Sequence, residues 1–274
     1  MLPVIKLGDL TIPMYGLMFA TGFALAVILA VFLAKKAGVS RNDAIYAAVY
    51  GAVGLYIGAK LLYFLTRLPY IIEHSEIFDY GFGEFLTVGF GGMVFYGGLI
   101  GFGFGVWIYC KRFKTNLFDI VDLYTSLVPL AHGFGRIGCF CAGCCYGVES
   151  HGFLSVHFPY NEDFPELCEV PRVPVQLMET GLNFICFGVL LWFLIKNIRL
   201  AESERRLKQG QLLGIYLAYY SFVRIILEFF RGDKERGSIG FLSTSQFIGI
   251  SLIPVAVILI LAKKRKPVFW KQTG

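Results

Sequence analysis

In the apolar stretch YYSFVRIILEFFRG, Tyr220, Arg224, Glu228 and Arg231 recur every three or four positions. That spacing places side chains on one face of an α-helix. A charge at the centre of a bilayer costs about 2.5–3.5 kcal/mol on insertion scales, so such a face must pair internally or look into a wet cavity. An Arg224–Glu228 pair four residues apart would by itself make the helix tolerable. A polar stripe facing a cavity would instead hold an anion. Arginine suits a phosphate because its planar fork donates two parallel hydrogen bonds and keeps its charge.

A second cation, Arg136, lies in HGFGRIGCFCAGCCYG. It is followed by Gly138, Gly143 and Gly147, which read as turn-permitting residues ending a span in an irregular segment. Backbone that leaves the helix at membrane depth is tolerated only where it lines a cavity or is buried in protein, and exposed amides beside an arginine would cradle a phosphate. Cys139, Cys141, Cys144 and Cys145 form C-x-C-x-x-C-C, denser than ordinary zinc spacing and without a second Cys/His pair at a standard distance. Small packing residues are the preferred reading. A disulfide on an oxidising face, with Cys168 also near, and a metal are the alternatives. His132, one turn before Arg136, reads as a packing histidine, with proton acceptor as its other use. Lys60 is a further cation inside an apolar stretch and needs a partner. The glycines of FYGGLIGFGFG, Phe95 to Gly105, fit close helix–helix packing.

The elements that must position these residues are set by composition. The chain has 274 residues, 56% hydrophobic and 16% charged, with a mean hydropathy of +0.65, far too apolar for a soluble domain of this size. A span needs about 20 mostly apolar residues. Seven such stretches run near 14–34, 44–66, 90–110, 119–139, 176–195, 211–230 and 244–262. The first lacks a basic leader and a small-residue cleavage site and reads as a retained span. Residues 1–274 read as a single integral membrane domain, and 147–173, with Glu149, Glu162, Asp163, Glu166 and Glu169, as a solvated extracytoplasmic cap.

Basic residues cluster after alternate stretches: Lys35, Lys36 and Arg41; Lys111, Arg112 and Lys114; Lys196, Arg199, Arg205, Arg206 and Lys208; Lys263, Lys264, Arg265, Lys266 and Lys271. The opposite connections carry Arg67, Arg172, Arg231, Lys234 and Arg236. The positive-inside rule then places the N-terminus outside and the C-terminus in the cytosol. The net charge of +6 belongs to loops near anionic lipid rather than to a nucleic-acid surface. The expected fold is an all-α membrane bundle of about seven helices.

On these motifs the sequence resembles the prolipoprotein diacylglyceryl transferase family of bacterial plasma-membrane enzymes, over nearly its whole length. MYGLMFATGF resembles the family's first-span Tyr-Gly motif through Tyr15 and Gly16, and FYGGLIG its His-Gly-Gly-Leu motif through Gly97 and Gly98. GRIGCFCAGCCYG is similar to the glycine-rich signature through Arg136, Gly138, Phe140, Gly143 and Gly147. VPVQLMET matches a Pro-x-Gln-Leu-x-Glu segment through Pro174, Gln176, Leu177 and Glu179. YSFVRIILEFFR matches the sixth-span pattern through Tyr220, Arg224, Glu228 and Arg231, and LSTSQ, Leu242 to Gln246, the motif opening the last span. Three polar positions depart. Tyr96 stands where the family has histidine, Cys139 replaces the signature asparagine, and Cys144 replaces its glutamate, which implies a distinct branch.

The resemblance implies transfer of a diacylglyceryl group from phosphatidylglycerol to the lipobox cysteine of a prolipoprotein signal peptide, in the bacterial inner membrane, by a multi-pass and monomeric enzyme. Arg136, Arg224, Glu228 and Tyr96 would be the catalytic set. Tyr15, Gly97, Gly98, Gly138, Cys139, Gly147, Gln176, Glu179, Tyr220 and Arg231 would bind substrate. No metal or organic cofactor is required, because the leaving group departs from a preactivated phosphodiester. Two alternatives remain: the same donor with a different acceptor, and a lipid- or anion-binding protein or transporter without chemistry. Paired broken helices in matching halves would mark a transporter, and the sequence has no such repeat.

Overall fold

Glycines and serines punctuate the apolar runs and set where the helices begin and end. A computed structural model describes residues 4–8, 10–74, 76, 81–159, 167–200, 204, 207–232 and 237–262. An antiparallel ribbon, β1 (Val4–Leu7) with β2 (Leu10–Pro13), leads into α1 (Met14–Ala37) and carries Lys6 opposite Thr11. α1 stops at Gly38, whose φ of 79° supplies the left-handed cap that other residues seldom adopt. Ser40 then accepts the Asn42 amide at 3.2 Å and opens α2 (Arg41–Glu73). There follow α3 (Phe82–Phe90), α4 (Phe95–Phe113), α5 (Leu117–Thr125), α6 (Val128–Ala142), α7 (Val175–Arg199) and α8 (Gln211–Glu228). The two-residue strands β3 (Ser238–Ile239) and β4 (Leu242–Ser243) precede α9 (Thr244–Leu261).

The chain divides into two compact units, Val39–Ile120 and Met1–Gly38 with Val121–Gly274. In the first, α2 packs along α4 through backbone. A Cβ on Gly54 or Gly101 would run into the other's carbonyl, the same holds for Gly58 and Gly97, and a Cβ on Gly105 would strike the carbonyl of Tyr50. These are the glycines the sequence marks for close packing. Lys60 donates to the Phe90 carbonyl at the C-terminal end of α3, where the helix dipole is negative, and lies 5.9 Å from the Tyr56 ring centroid.

In the second unit α1 packs on α6, α6 on α7, α7 on α8 and α8 on α9. Asp122, fully buried in α5, accepts the amides of Gly210 at 2.6 Å and Leu213 at 3.3 Å, two donors that the first turn of α8 leaves open. α9 starts with a reciprocal cap: Ser243 Oγ accepts the Gln246 amide, and Gln246 Oε1 accepts the Ser243 amide, each at 3.1 Å.

Four helices, α1, α2, α7 and α9, are long and apolar enough to cross a membrane, and α3 with α4 makes a fifth if the pair is one span. The chain is therefore a mostly helical, multi-pass membrane protein. Two expected stretches are not single helices. The third is broken between α3 and α4 by an 87° bend, where Gly91 and Gly92 end α3 and the Val94 amide turns to the Ala59 carbonyl at 3.1 Å. The fourth is divided between α5 and α6 at Ser126–Leu127, next to Pro129, which lacks an amide to donate. The basic positions Arg205, Arg206, Lys234, Arg236, Lys263, Lys264, Arg265, Lys266 and Lys271 lie outside the described residues, as do Glu162, Asp163 and Glu166 of the cap.

The described part of 147–173 is not simply a solvated strap. Phe158 and Leu167 bury against Tyr146 and Phe140, and Val156 exchanges both amide–carbonyl bonds with Arg172 at 2.9 and 3.0 Å. Arg172 lies 4.8 Å over the Tyr146 ring.

Candidate active site

The site is built around one buried carboxylate. Glu179 sits in the second turn of α7 and is 3% exposed. Its Oε1 lies 2.9 Å from Arg136 Nε of α6, an ion pair, and 3.2 Å from Nε2 of His132, one turn before Arg136 on α6. Its Oε2 lies 3.9 Å from Arg224 Nη1 on α8. Three helices thus converge on one carboxylate that both guanidiniums share. Leaving either uncompensated in a low-dielectric interior would be strongly unfavourable.

The two arginines are held differently. Arg224 has three partners: Nη2 meets Glu228 Oε2 at 2.9 Å and donates to Ser245 Oγ of α9 at 2.7 Å, while Nη1 lies 3.9 Å from Glu179 Oε2. Its side chain is 7% exposed. Arg136 meets Glu179 through Nε, its terminal nitrogens have no ion-pair partner among the described residues, and its side chain is 15% exposed. The i,i+4 pair of Arg224 and Glu228 exists, but it is one arm of a larger network.

Aromatic hydroxyls surround this network. Tyr216 Oη lies 3.5 Å from His132 Nδ1, and the Tyr220 ring centroid is 5.9 Å from that of His132. Tyr15 opens α1 and is 44% exposed. Gly138 lies inside α6, not at a turn. A Cβ there would come within 3.1 Å of Tyr15 Cα, so its lack of a side chain lets α1 approach.

Three expectations change on contact with the geometry. Arg231 does not continue the helical stripe, because α8 ends at Glu228. The next amides turn back to residues three earlier, and Arg231 bridges Gly147 in buried backbone. In the segment after Gly143, two of the amides expected to cradle a phosphate are engaged instead within the protein: Cys144 donates to Cys139 O at 3.1 Å and Gly147 to Val173 O at 3.1 Å. Gly147 is instead a close-approach residue whose Cβ would strike the Val173 carbonyl. Gln176 is buried and donates its side-chain amide to Cys144 O at 2.8 Å, fixing the loop that follows α6.

All seven cysteines are free thiols. Cys139 is buried, as a packing residue should be, but its sulfur gathers with those of Cys144 and Cys145 within 4.8 Å of one another. Tyr96, Gly97 and Gly98 open α4 in the other unit. Tyr96 is half-buried and makes an edge contact with Phe95 at 5.8 Å, and the two glycines are buried against α2.

Ser245 is the residue that sequence reasoning passed over. Its signal was in LSTSQ, where the S-x-x-Q spacing of Ser243 and Gln246 predicts a helix start and so fixes where the intervening serine points. Glu179 appeared only among substrate binders, because no spacing rule links a carboxylate on α7 to arginines on α6 and α8.

The profile of the family described as prolipoprotein diacylglyceryl transferase matches residues 3–262. The chain is similar to a phosphatidylglycerol–prolipoprotein diacylglyceryl transferase of Clostridium tetani, 36% identical over 259 residues that cover 94% of this chain and 96% of the relative. A second such transferase, from Clostridium perfringens, is 32% identical over 98% of both chains. One from Marinomonas is 27% identical over 98% of this chain and 95% of its own. With two arginines gathered on a buried carboxylate and these relatives matched over nearly the whole chain, the chain belongs to the prolipoprotein diacylglyceryl transferase family, a family of transferase enzymes.

Proposed function

We propose that the protein transfers a diacylglyceryl group from phosphatidylglycerol to the lipobox cysteine thiol of a prolipoprotein, in the bacterial inner membrane. The observation that carries this reading is the unequal tethering of Arg136 and Arg224 to Glu179. Arg224 is fixed as part of the frame, and the Arg136 fork, with no ion-pair partner among the described residues, takes the phosphate. In the reaction the thiolate sulfur attacks the glyceryl carbon, a C–S bond forms, and the C–O bond to phosphate breaks with its electron pair on the departing glycerol phosphate. Donors aimed at that developing charge lower the barrier directly.

The thiol proton needs an acceptor, and Tyr96 in place of the family histidine is a poor one near neutral pH. His132 is the better group. With its Nε2–H directed at Glu179, its Nδ1 is the basic nitrogen and faces the Tyr216 hydroxyl at 3.5 Å, which would have to yield it to the thiol, an arrangement in which the carboxylate fixes tautomer and orientation. Tyr15, Tyr96 and Tyr220 serve as hydroxyl donors to phosphate or glycerol. Gly97, Gly98, Gly138 and Gly147 let backbone approach, Gln176 and Arg231 hold the segment after α6, and Cys139 lines the site beside Arg136.

This reading takes residues 1–274 as one monomeric, integral membrane domain with 147–173 as its extracytoplasmic cap. Seven spans result if α3 with α4 and α5 with α6 each count once. The N-terminus is outside, supported by Lys35 and Lys36 ending α1, Lys111 and Arg112 ending α4, and Lys196 and Arg199 ending α7.

The test is purified protein with labelled phosphatidylglycerol and a lipobox peptide. Thioether product should form with wild type and with Tyr96→Phe. It should fall by about 10²–10³ in Arg136→Ala, the scale for losing one charge-stabilising donor, and by a comparable factor in His132→Gln. Product undiminished in Arg136→Ala, or lipid retained without product, would sink the assignment.

A further inference from the structure

The transfer step proposed above uses none of the three sulfurs beside the site as a reacting atom, yet the fold brings them together at some conformational cost. Cys139 lies one turn past Arg136 on α6. Gly143 then takes φ 80° and Cys145 takes φ 61°, a left-handed conformation that a non-glycine residue seldom adopts. The double reversal folds the chain back on the end of α6, and the buried Gln176 amide clamps Cys144 O in that position. As a result the Sγ atoms of Cys139, Cys144 and Cys145 all lie within 4.8 Å of one another.

A metal bound by thiolates at about 2.3 Å needs its sulfurs about 4 Å apart in a trigonal plane, so this set needs to contract by less than about 1 Å. Packing alone does not require three thiols to meet. A disulfide uses two of them and leaves the third unexplained. Thiolate is the form that binds metal. Three sulfurs with no fourth ligand among the described residues match a three-coordinate soft ion better than tetrahedral zinc.

We propose that Cys139, Cys144 and Cys145 form a three-sulfur site for a soft, monovalent d10 metal ion of the Cu+ class. The site would sit one helical turn from the phosphate-binding guanidinium, and it does not depend on which acceptor the enzyme uses. The experiment is anaerobic titration of the reduced, full-length protein in detergent with Cu+ against the chelator bicinchoninate, with Zn2+ as a parallel arm.

One equivalent of Cu+ should be withheld from the chelator. Each of Cys139→Ser, Cys144→Ser and Cys145→Ser should weaken retention by more than about tenfold, the least that losing even an outer-shell partner of a metal costs. Cys110→Ser and Cys186→Ser should leave it unchanged. Any serine variant that does not fold is replaced by alkylation mapping of the wild type, in which Cu+ should protect these three thiols and not Cys141 or Cys168. No stoichiometric retention, equal retention in all variants, preference for Zn2+, or uniform protection of the cysteines would overturn the proposal. A native disulfide within the trio, with no Cu+ bound after reduction, would overturn it as well.

Discussion

Helices α2 and α4 approach closely through glycines, whereas α6, α7 and α8 meet around Glu179 and the charges it holds. Both arrangements solve the same difficulty. In lipid, apolar side chains gain little by leaving one apolar medium for another, so helices associate through close backbone contact or through polar groups with few other partners. The glycine solution is non-directional and chemically silent. The carboxylate solution is directional and leaves one guanidinium fork without an ion-pair partner among the described residues, which is what a reaction site needs.

The contrast predicts that the two regions fail differently. The largest effect is expected from Glu179→Ala, which leaves two guanidiniums buried without their shared anion. Thermal unfolding in detergent should show a loss of about 3–5 kcal/mol, with thioether formation abolished. Wild-type stability in that variant would mean that the network does not hold α6, α7 and α8 together. Next comes Gly101→Leu, whose side chain must displace the Gly54 backbone. Overpacking of this kind costs about 1–3 kcal/mol, and the stability loss should exceed any loss of turnover per folded molecule. The smallest is Ser245→Ala, which removes one of the three partners of Arg224. It should cost about 1 kcal/mol and lower turnover only a few-fold, because Glu228 and Glu179 remain. A fall as deep as that of Arg136→Ala would show that Arg224 is more than a strut.

Much of this was legible in the chain. The 3–4 spacing of Tyr220, Arg224 and Glu228 identified a polar helix face, and the basic clusters marked helix ends at Lys35, Lys111 and Lys196. What periodicity cannot carry is a tertiary coincidence. Glu179 lies 43 positions beyond Arg136 and 45 before Arg224, and no local rule says that their helices present those faces to one another. The same limit explains Arg231. Helical spacing continues on paper past Glu228, but the chain there is drawn into backbone pairing opposite Gly147, 84 positions away, through Val148 N to Phe230 O and Gly232 N to Tyr146 O. Gly138 was misread for the opposite reason, since a glycine that permits a turn and a glycine that admits a neighbouring helix look alike in sequence.

Asp122 has a consequence for the order in which the protein is made. The first turn of α8, the helix that delivers Arg224, hangs two amide groups on a carboxylate encoded about ninety codons earlier. Synthesis runs from the N-terminus, and early segments are in place before late ones emerge. The acceptor is therefore already waiting when α8 leaves the ribosome, and that helix completes its opening turn against a finished neighbour instead of open-ended in lipid.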